Sequence, residues 1–154
     1  MSSKPAATTP LEAHLGYWLR FVSNHVSHAF SLKLAAHDVT VAEWVVMRDL
    51  FDAQAFAPNK LAERLGMTRG AISKLADRLT SKGLLAREAD DKDRRAQRLA
   101  LTEEGRSLLP VLAALADEND REFFGHLDPA TWATIETAMK EIVRRQGLRS
   151  VPVA

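Results

Sequence analysis

The amino-acid sequence predicts a mainly α, α+β fold in which one β-hairpin accompanies a set of helices. Most of the chain carries apolar residues at three- and four-residue steps, the spacing of a helix with one buried face. After Gly83 the spacing changes to the alternation of short strands, and it becomes helical again after Leu101. The 154 residues, of which 46% are hydrophobic, suffice for one core. We therefore predict a single domain over residues 1–154.

Two helices are predicted in the N-terminal part. The first runs from Leu11 to about Ala36, and the second runs from the N-cap Thr40 through Phe51. Residues 1–10 precede both helices and are expected to form a flexible tail. The apolar stripe of the first helix consists of Leu11, Leu15, Trp18, Val22, Val26, Ala29 and Phe30. A stripe this apolar needs a protein surface to cover it.

The centre of the chain carries two short helices separated by a tight turn. Pro58 suits the start of the first, and Gly66 lies where a helix often ends in the left-handed conformation. Thr68 is the predicted N-cap of the second helix, which ends at Gly83. Its buried stripe consists of Ile72, Leu75, Ala76 and Leu79, and its opposite face of Arg69, Gly70, Ser73, Lys74, Asp77 and Arg78. This pattern predicts a helix-turn-helix.

Two short strands follow. They are predicted over Leu84–Ala89 and Ala96–Leu101, with a charged tip at residues 90–95. Helix, turn, helix and two-stranded wing together predict a winged helix-turn-helix lobe over residues 40–102. The second helix of such a lobe suits the major groove of DNA, and arginines on the wing suit the minor groove.

Two further helices are predicted after the wing. Thr102 caps a long helix with an acidic first turn, in which we expect Pro110 to cause a kink or a break. Asp128, followed by a proline, is the predicted N-cap of the last helix. The outer helices, within residues 11–36 and 103–146, are too apolar to remain uncovered. They either pack on the winged lobe of the same chain or form a dimerisation lobe with a second subunit.

A specific combination of motifs lies in the wing. Asp93, Arg94 and Arg95 are followed by Leu99-Ala100-Leu101-Thr102 and then by Gly105. Less specific motifs precede them, namely Leu61-Ala62, Leu65-Gly66, Ile72-Ser73, Leu75, Asp77-Arg78-Leu79 and Lys82-Gly83-Leu84. With these motifs the chain resembles the MarR (multiple-antibiotic-resistance regulator) family of transcription factors, from about Leu11 to about Gln146.

The resemblance implies a homodimeric repressor that binds a palindromic operator in double-stranded DNA and is released by a small ligand. The candidate DNA-binding residues are Thr68, Arg69, Gly70, Ser73, Lys74 and Arg78 on the helix, with Asp93, Arg94 and Arg95 on the wing. We expect Arg69 to read a guanine edge and Arg95 to enter the minor groove. The local charge agrees, because residues 60–106 contain 12 Lys/Arg against 8 Asp/Glu.

The resemblance also implies a crevice between the dimerisation helices and the DNA-binding lobe. A small aromatic acid is the expected effector, with a carboxylate that meets Arg48 or His25. The candidate ligand-binding residues are Trp18, Phe21, His25, Trp44 and Arg48. The alternative is that the two tryptophans belong to the core and that Arg48 forms a surface ion pair.

Other classes of function are less well supported. The chain has no cysteine, so disulfides and thiol chemistry are excluded, and its five histidines lack the spacing of a zinc site. We expect no metal and no cofactor. Motifs of nucleophilic or phosphate-binding enzymes are also missing. No signal peptide or membrane span is apparent, so a cytoplasmic location is expected. The main alternative is a winged-helix module that binds proteins and not DNA.

Overall fold

We describe the protein from a computed structural model, which covers residues 7–52, 55–89, 92 and 97–149. The mainly helical class with one hairpin is confirmed. The elements are α1 (Leu15–Ala35), α2 (Val41–Phe51), α3 (Pro58–Leu65), α4 (Arg69–Ser81), β1 (Leu85–Ala89), β2 (Gln97–Leu101), α5 (Glu103–Phe124) and α6 (Pro129–Gln146). Among these described residues, no helix has both the length and the apolar character needed to cross a bilayer.

The start of the first helix differs from the prediction. Leu11–Ala13 form a separate 3₁₀ turn, and His14 is extended before α1 begins. The carbonyl oxygen of Glu12 accepts a 2.8 Å hydrogen bond from the indole N–H of Trp18. The predicted continuous helix from Leu11 is therefore wrong, because a side chain of α1 takes the carbonyl group that the helix would use.

The predicted helix caps of the central region are confirmed. Thr40 and Glu43 form a reciprocal capping box at the start of α2, and Thr68 accepts a 3.1 Å hydrogen bond from the N–H of Ala71. Gly66 has a φ of 63°, the left-handed conformation that a residue without a side chain adopts most readily. Gly66 and the Thr68 cap together form the tight turn between α3 and α4.

The hairpin is antiparallel, with Leu85 opposite Leu101 and Ala89 opposite Gln97. Leu84 is not part of β1, because its N–H donates a 2.9 Å hydrogen bond to the carbonyl of Leu79 at the end of α4 and so cannot donate to Thr102 across the hairpin. The predicted strand residue Ala96 lies outside the described residues. Phe56, just before α3, pairs with Leu99 through two backbone hydrogen bonds of 3.0 and 2.8 Å. The wing is thus attached to the helix-turn-helix by its backbone.

Helix α5 is continuous over 22 residues with Pro110 inside it, so of the predicted kink or break the break is wrong. Proline has no N–H, so the carbonyl of Arg106 lacks its usual helical hydrogen bond from position 110. Both Pro110 and Arg106 are exposed, so water can solvate this carbonyl. At the start of α5, a Cβ on Gly105 would lie 2.3 Å from the carbonyl oxygen of Leu84. Only glycine permits this close approach, which packs the start of α5 against the segment that links α4 to β1.

The core lies inside the winged lobe and under its junction with α1 and α5. Its most buried members are Leu34, Val46, Met47, Leu50, Leu61, Ile72, Leu79, Leu85, Leu99, Leu109 and Leu112. Helix α6 contributes nothing to this core, because none of its residues is buried. The DNA-binding candidates therefore sit on a packed scaffold, whereas the C-terminal helix has no such support within the chain.

Candidate nucleic-acid interface

Helix α4 presents two chemically different faces. Ile72, Leu75, Ala76 and Leu79 are buried in the core. The opposite side, which we call the reading face, is exposed and consists of Thr68, Arg69, Gly70, Ser73, Lys74 and Arg78. Nothing lies within 4 Å of the position that a Cβ of Gly70 would take, so the backbone is open to solvent there. The structure thus brings all six helix residues of the sequence-predicted site onto one surface.

Arg69 lies at the first position of α4 and is held by a residue of α3. Its Nε donates a 2.5 Å hydrogen bond to Oδ1 of Asn59. The N–H groups on both terminal nitrogens of the guanidinium group remain available as hydrogen-bond donors. A bidentate contact to a guanine edge uses such a pair of donors. Asn59 was missed by the sequence analysis, because no periodic pattern relates the start of α3 to the start of α4.

A second contact joins the reading helix to the wing. Asp77 of α4 forms an ion pair with Arg87 of β1. The positive charge of Arg87 offsets the negative charge of Asp77, which lies beside the reading face. It also links the side of α4 to the base of the hairpin. Sequence analysis placed Asp77 on the exposed face but did not identify Arg87 as its partner.

The hairpin leads away from the core towards the charged tip. Along β1 the residues change from buried Leu85 to exposed Ala89, and along β2 from exposed Gln97 to buried Leu101. The remaining site candidates, Asp93, Arg94 and Arg95, lie outside the described residues. Their role in the minor groove therefore stays a prediction.

An ion pair between a buried carboxylate and a partly exposed lysine joins the other end of α4 to α2. Glu43 of α2 is fully buried, and its Oε1 accepts a 3.0 Å hydrogen bond from Nζ of Lys82, the C-cap of α4. The same Nζ donates to the carbonyl oxygen of Asp38 at 2.6 Å. The second carboxylate oxygen, Oε2, is also 3.0 Å from Nζ but lies outside hydrogen-bonding geometry. Burial opposes ionisation of Glu43, but the hydrogen bonds from Lys82 and Thr40 outweigh it and lower the pKa of the carboxyl group.

The outer helices expose a continuous apolar surface. Between α1 and α6 lies an open groove of about 580 Å³, which we call the α1–α6 groove. Its large apolar residues are Leu15, Trp18, Leu19, Val22, Val26, Phe124, Ile135, Met139 and Ile142. Helix α6 has no buried residue within the chain, and an exposed apolar surface of this kind is typical of a protein–protein contact.

The five candidate ligand residues fall into two groups in one chain. Trp18, Phe21 and His25 form an exposed row along α1, with centroid separations of 6.3 and 4.9 Å. Trp44 and Arg48 line a separate cavity of about 370 Å³, which we call the Trp44 cavity. Its other lining residues are Val45, Asp49, Asp52 and Leu65. A single chain therefore does not bring the five residues together.

The sequence allowed Trp44 and Arg48 to be either ligand-binding residues or a core residue and a surface ion-pair partner, and the Trp44 cavity has features of both. Trp44 packs edge-on against Phe30 at 5.9 Å and borders the core, yet it still lines the cavity. Arg48 forms a 2.8 Å ion pair with Asp52 in an exposed setting. Among the described residues, no cluster of three potential metal ligands is found. The cavity thus offers an aromatic wall and a cation that is already paired.

Comparisons with known proteins address the family. A model described as the MarR family matches residues 39–96. The transcriptional regulator HosA of Escherichia coli O111:H- is 31% identical over 90 residues, which are 58% of this chain and 67% of HosA. A structure of a MarR mutant from E. coli, complexed with operator DNA, has a TM-score of 0.76 and 25% identity, covering 84% of this chain and 93% of that one. A probable transcriptional regulator from Pseudomonas aeruginosa, 23% identical, has the same fold, with a TM-score of 0.77 and coverage of 86% and 99%.

Proposed function

The chain belongs to the MarR family of transcriptional regulators and is not an enzyme, and we propose that it binds double-stranded operator DNA as a homodimer in the cytoplasm. The observation that carries this proposal is the reading face of α4, an exposed strip of small and basic residues on a helix whose other side is locked into the core. A helix of this shape fits the major groove, about 12 Å wide, with its N-terminal residues towards the bases. The MarR mutant that shares this fold was solved with operator DNA.

The residues of the reading face have different roles in this proposal. Arg69 reads a guanine edge through its terminal nitrogens, while Asn59 holds Nε. Lys74 and Arg78, further along α4, hold phosphates. Arg95 enters the minor groove at the wing, and Arg94 is a second candidate for the DNA backbone or groove. Asp93 pairs with a wing arginine and holds the loop in shape.

Substitutions at Arg69 and Lys74 test these roles. Operator and random duplexes are titrated with Arg69→Ala and with the matched control Lys74→Ala, by fluorescence anisotropy. Arg69→Ala is expected to lose on the order of 1–3 kcal/mol of binding free energy for the operator and little for random DNA, because the substitution removes a base contact. Lys74→Ala is expected to weaken both duplexes alike and to lower the salt dependence. Equal losses on both duplexes with Arg69→Ala would contradict the base-reading role.

The dimer follows from the unpartnered helices. A second copy that packs on the α1–α6 groove covers the apolar faces of α1 and α6 in both subunits. Two-fold symmetry then places two recognition helices on successive major grooves, about one helical turn apart, and a palindromic operator matches this symmetry. Such a dimer represses by occupying promoter DNA. The alternative, a protein-interaction module, predicts no salt-dependent affinity for any duplex.

The effector proposed for this repressor is a small aromatic acid bound at the Trp44 cavity. Trp44 supplies a fixed aromatic wall, and the ligand carboxylate replaces Asp52 as the partner of Arg48. Trp18, Phe21 and His25 complete the site only where the second subunit brings its own α1 to the cavity. Binding there weakens operator affinity if it favours a dimer with the wrong spacing of recognition helices.

The three tryptophans of the chain allow this site to be tested. Salicylate is titrated while tryptophan fluorescence and operator release are followed, in the wild type and in Trp44→Phe and Trp18→Phe. Quenching that parallels release and is lost in Trp44→Phe supports the Trp44 cavity. If the quenching is lost in Trp18→Phe and kept in Trp44→Phe, the ligand binds at the aromatic row of α1 instead. A wild type that shows neither quenching nor release would contradict this class of effector.

A further inference from the structure

The C-terminal end of the reading helix has two anchors of different kinds. One is a hydrogen bond to the N-cap of α5, in which the hydroxyl of Thr102 donates to the carbonyl of Gly83 at 2.7 Å. The other is the side chain of Lys82, which reaches the turn between α1 and α2. The first anchor remains when Lys82 is replaced. The lysine is therefore the part of this junction that can be altered while α4 stays attached.

The Lys82 anchor joins elements that are far apart in sequence. Its ammonium group is 2.6 Å from the carbonyl oxygen of Asp38, the residue with positive φ that ends the α1 side of the turn. It is 3.0 Å from both carboxylate oxygens of Glu43, which is itself tied to Thr40 by the capping box. Because Glu43 is fully buried, no solvent competes for the ammonium group on that side. One cation thus ties the C-terminal end of α4 to α2 and to the turn before it.

The Lys82 anchor lies far from the N-terminal end of α4, where Arg69 is located. Lys82 and Arg69 are separated by nearly the full length of α4, which is about 20 Å at 1.5 Å per residue. A tilt of about 10° at the anchored end would move the reading end by about 3.4 Å, one base-pair step. A small change of angle at the Lys82 end would therefore be enough to change the spacing of half-sites that a symmetric dimer can match.

We propose that Lys82 and Glu43 are positioning residues that set the half-site spacing recognised by the dimer. This inference rests on the proposed function, since it requires two reading helices on one operator. Neither residue touches DNA in this arrangement, because Glu43 is buried and Lys82 points towards α2. Their effect is on the distance between the two reading faces and not on the contacts within one half-site.

The test uses the full-length dimer and a series of duplexes. Each duplex carries the same two half-sites, with the central spacer lengthened or shortened by one or two base pairs. The variants are Lys82→Met and the double variant Glu43→Gln/Lys82→Met, which avoids leaving a buried charge without a partner. Arg64→Met is the matched control, because it removes another ion pair of α2, that with Asp49, and leaves the Lys82 anchor intact.

The expected result is a change in the spacing profile. The wild type and Arg64→Met should lose about tenfold or more in affinity for each base pair away from the best spacer, because a displaced half-site loses contacts worth at least about one mismatched pair. The double variant should lose less than about threefold per step, with affinity for a single half-site unchanged. An unchanged profile in the double variant, folded as shown by circular dichroism, would overturn the inference. A wild type without any spacing preference would instead contradict the proposed function.

Discussion

Truncation of the apolar face of α6 should dissociate the dimer. Ile135 and Ile142 line the α1–α6 groove and are 41% and 46% exposed in a single chain. Complete burial of such a side chain contributes about 1.5–3 kcal/mol, so covering the remaining exposed part contributes about 0.6–1.4 kcal/mol. In the double variant Ile135→Ala/Ile142→Ala, two side chains on each of two subunits are lost, roughly 2.5–5.5 kcal/mol in all. The dimer dissociation constant should rise by about a hundredfold to ten-thousandfold.

Sedimentation equilibrium over a dilution series measures this constant directly. Lys140→Ala is the matched control, because the Lys140 side chain is 74% exposed and pairs with Glu136 on the polar side of α6. Circular dichroism should show a loss of helix as the truncated dimer dissociates, since α6 has no buried residue in one chain. An unchanged dissociation constant, or a monomer that keeps its full helix content, would refute the argument.

Three further predictions concern the wing, the buried pair and the effector. Arg95→Ala should lower operator affinity at least about tenfold, by loss of a minor-groove contact, with an unchanged melting temperature; near-normal affinity would remove the wing from the mechanism. The folded-state pKa of Glu43 is lowered, so its stabilising contribution is complete above about pH 4.3 and is lost as the pH falls through the folded value. Urea unfolding at pH 7, 4 and 3 should show a flatter pH dependence for Glu43→Gln than for the wild type, and parallel curves would contradict this. Asp52→Asn should raise the affinity for salicylate, measured by calorimetry, because Asp52 no longer competes for Arg48; weaker binding would contradict the carboxylate role of Arg48.

The local features of the fold were predictable from sequence. Thr40, Thr68 and Gly66 were identified because caps and left-handed turns depend on residues a few positions apart. The stripe of α4 also follows from its periodicity, and the reading face opposite it was predicted with it. The exposed face of α4 could therefore be predicted without tertiary information.

The contacts that hold the site together were not predictable. Asn59, Arg87 and Lys82 each pair with a residue of a different element, and no periodic pattern links such residues. The sequence suggested for Lys82 only a favourable position at the end of the helix dipole. Pro110 shows the limit of a local rule. The rule predicted a kink or a break, but α5 does not break, since an exposed position in a long helix tolerates the proline. Tertiary packing decided each of these points.

The central claim, recognition of a specific operator by a dimer, is tested most directly by a titration of the wild-type protein. A labelled duplex from the DNA upstream of its own gene is titrated by fluorescence anisotropy at 50 and 200 mM salt, beside a random duplex of equal length. We expect one dimer per duplex, an affinity for the operator at least about a thousandfold above that for random DNA, and a steep loss with salt as phosphate contacts release counterions. Equal affinity for both duplexes, or binding that salt does not weaken, would contradict the account.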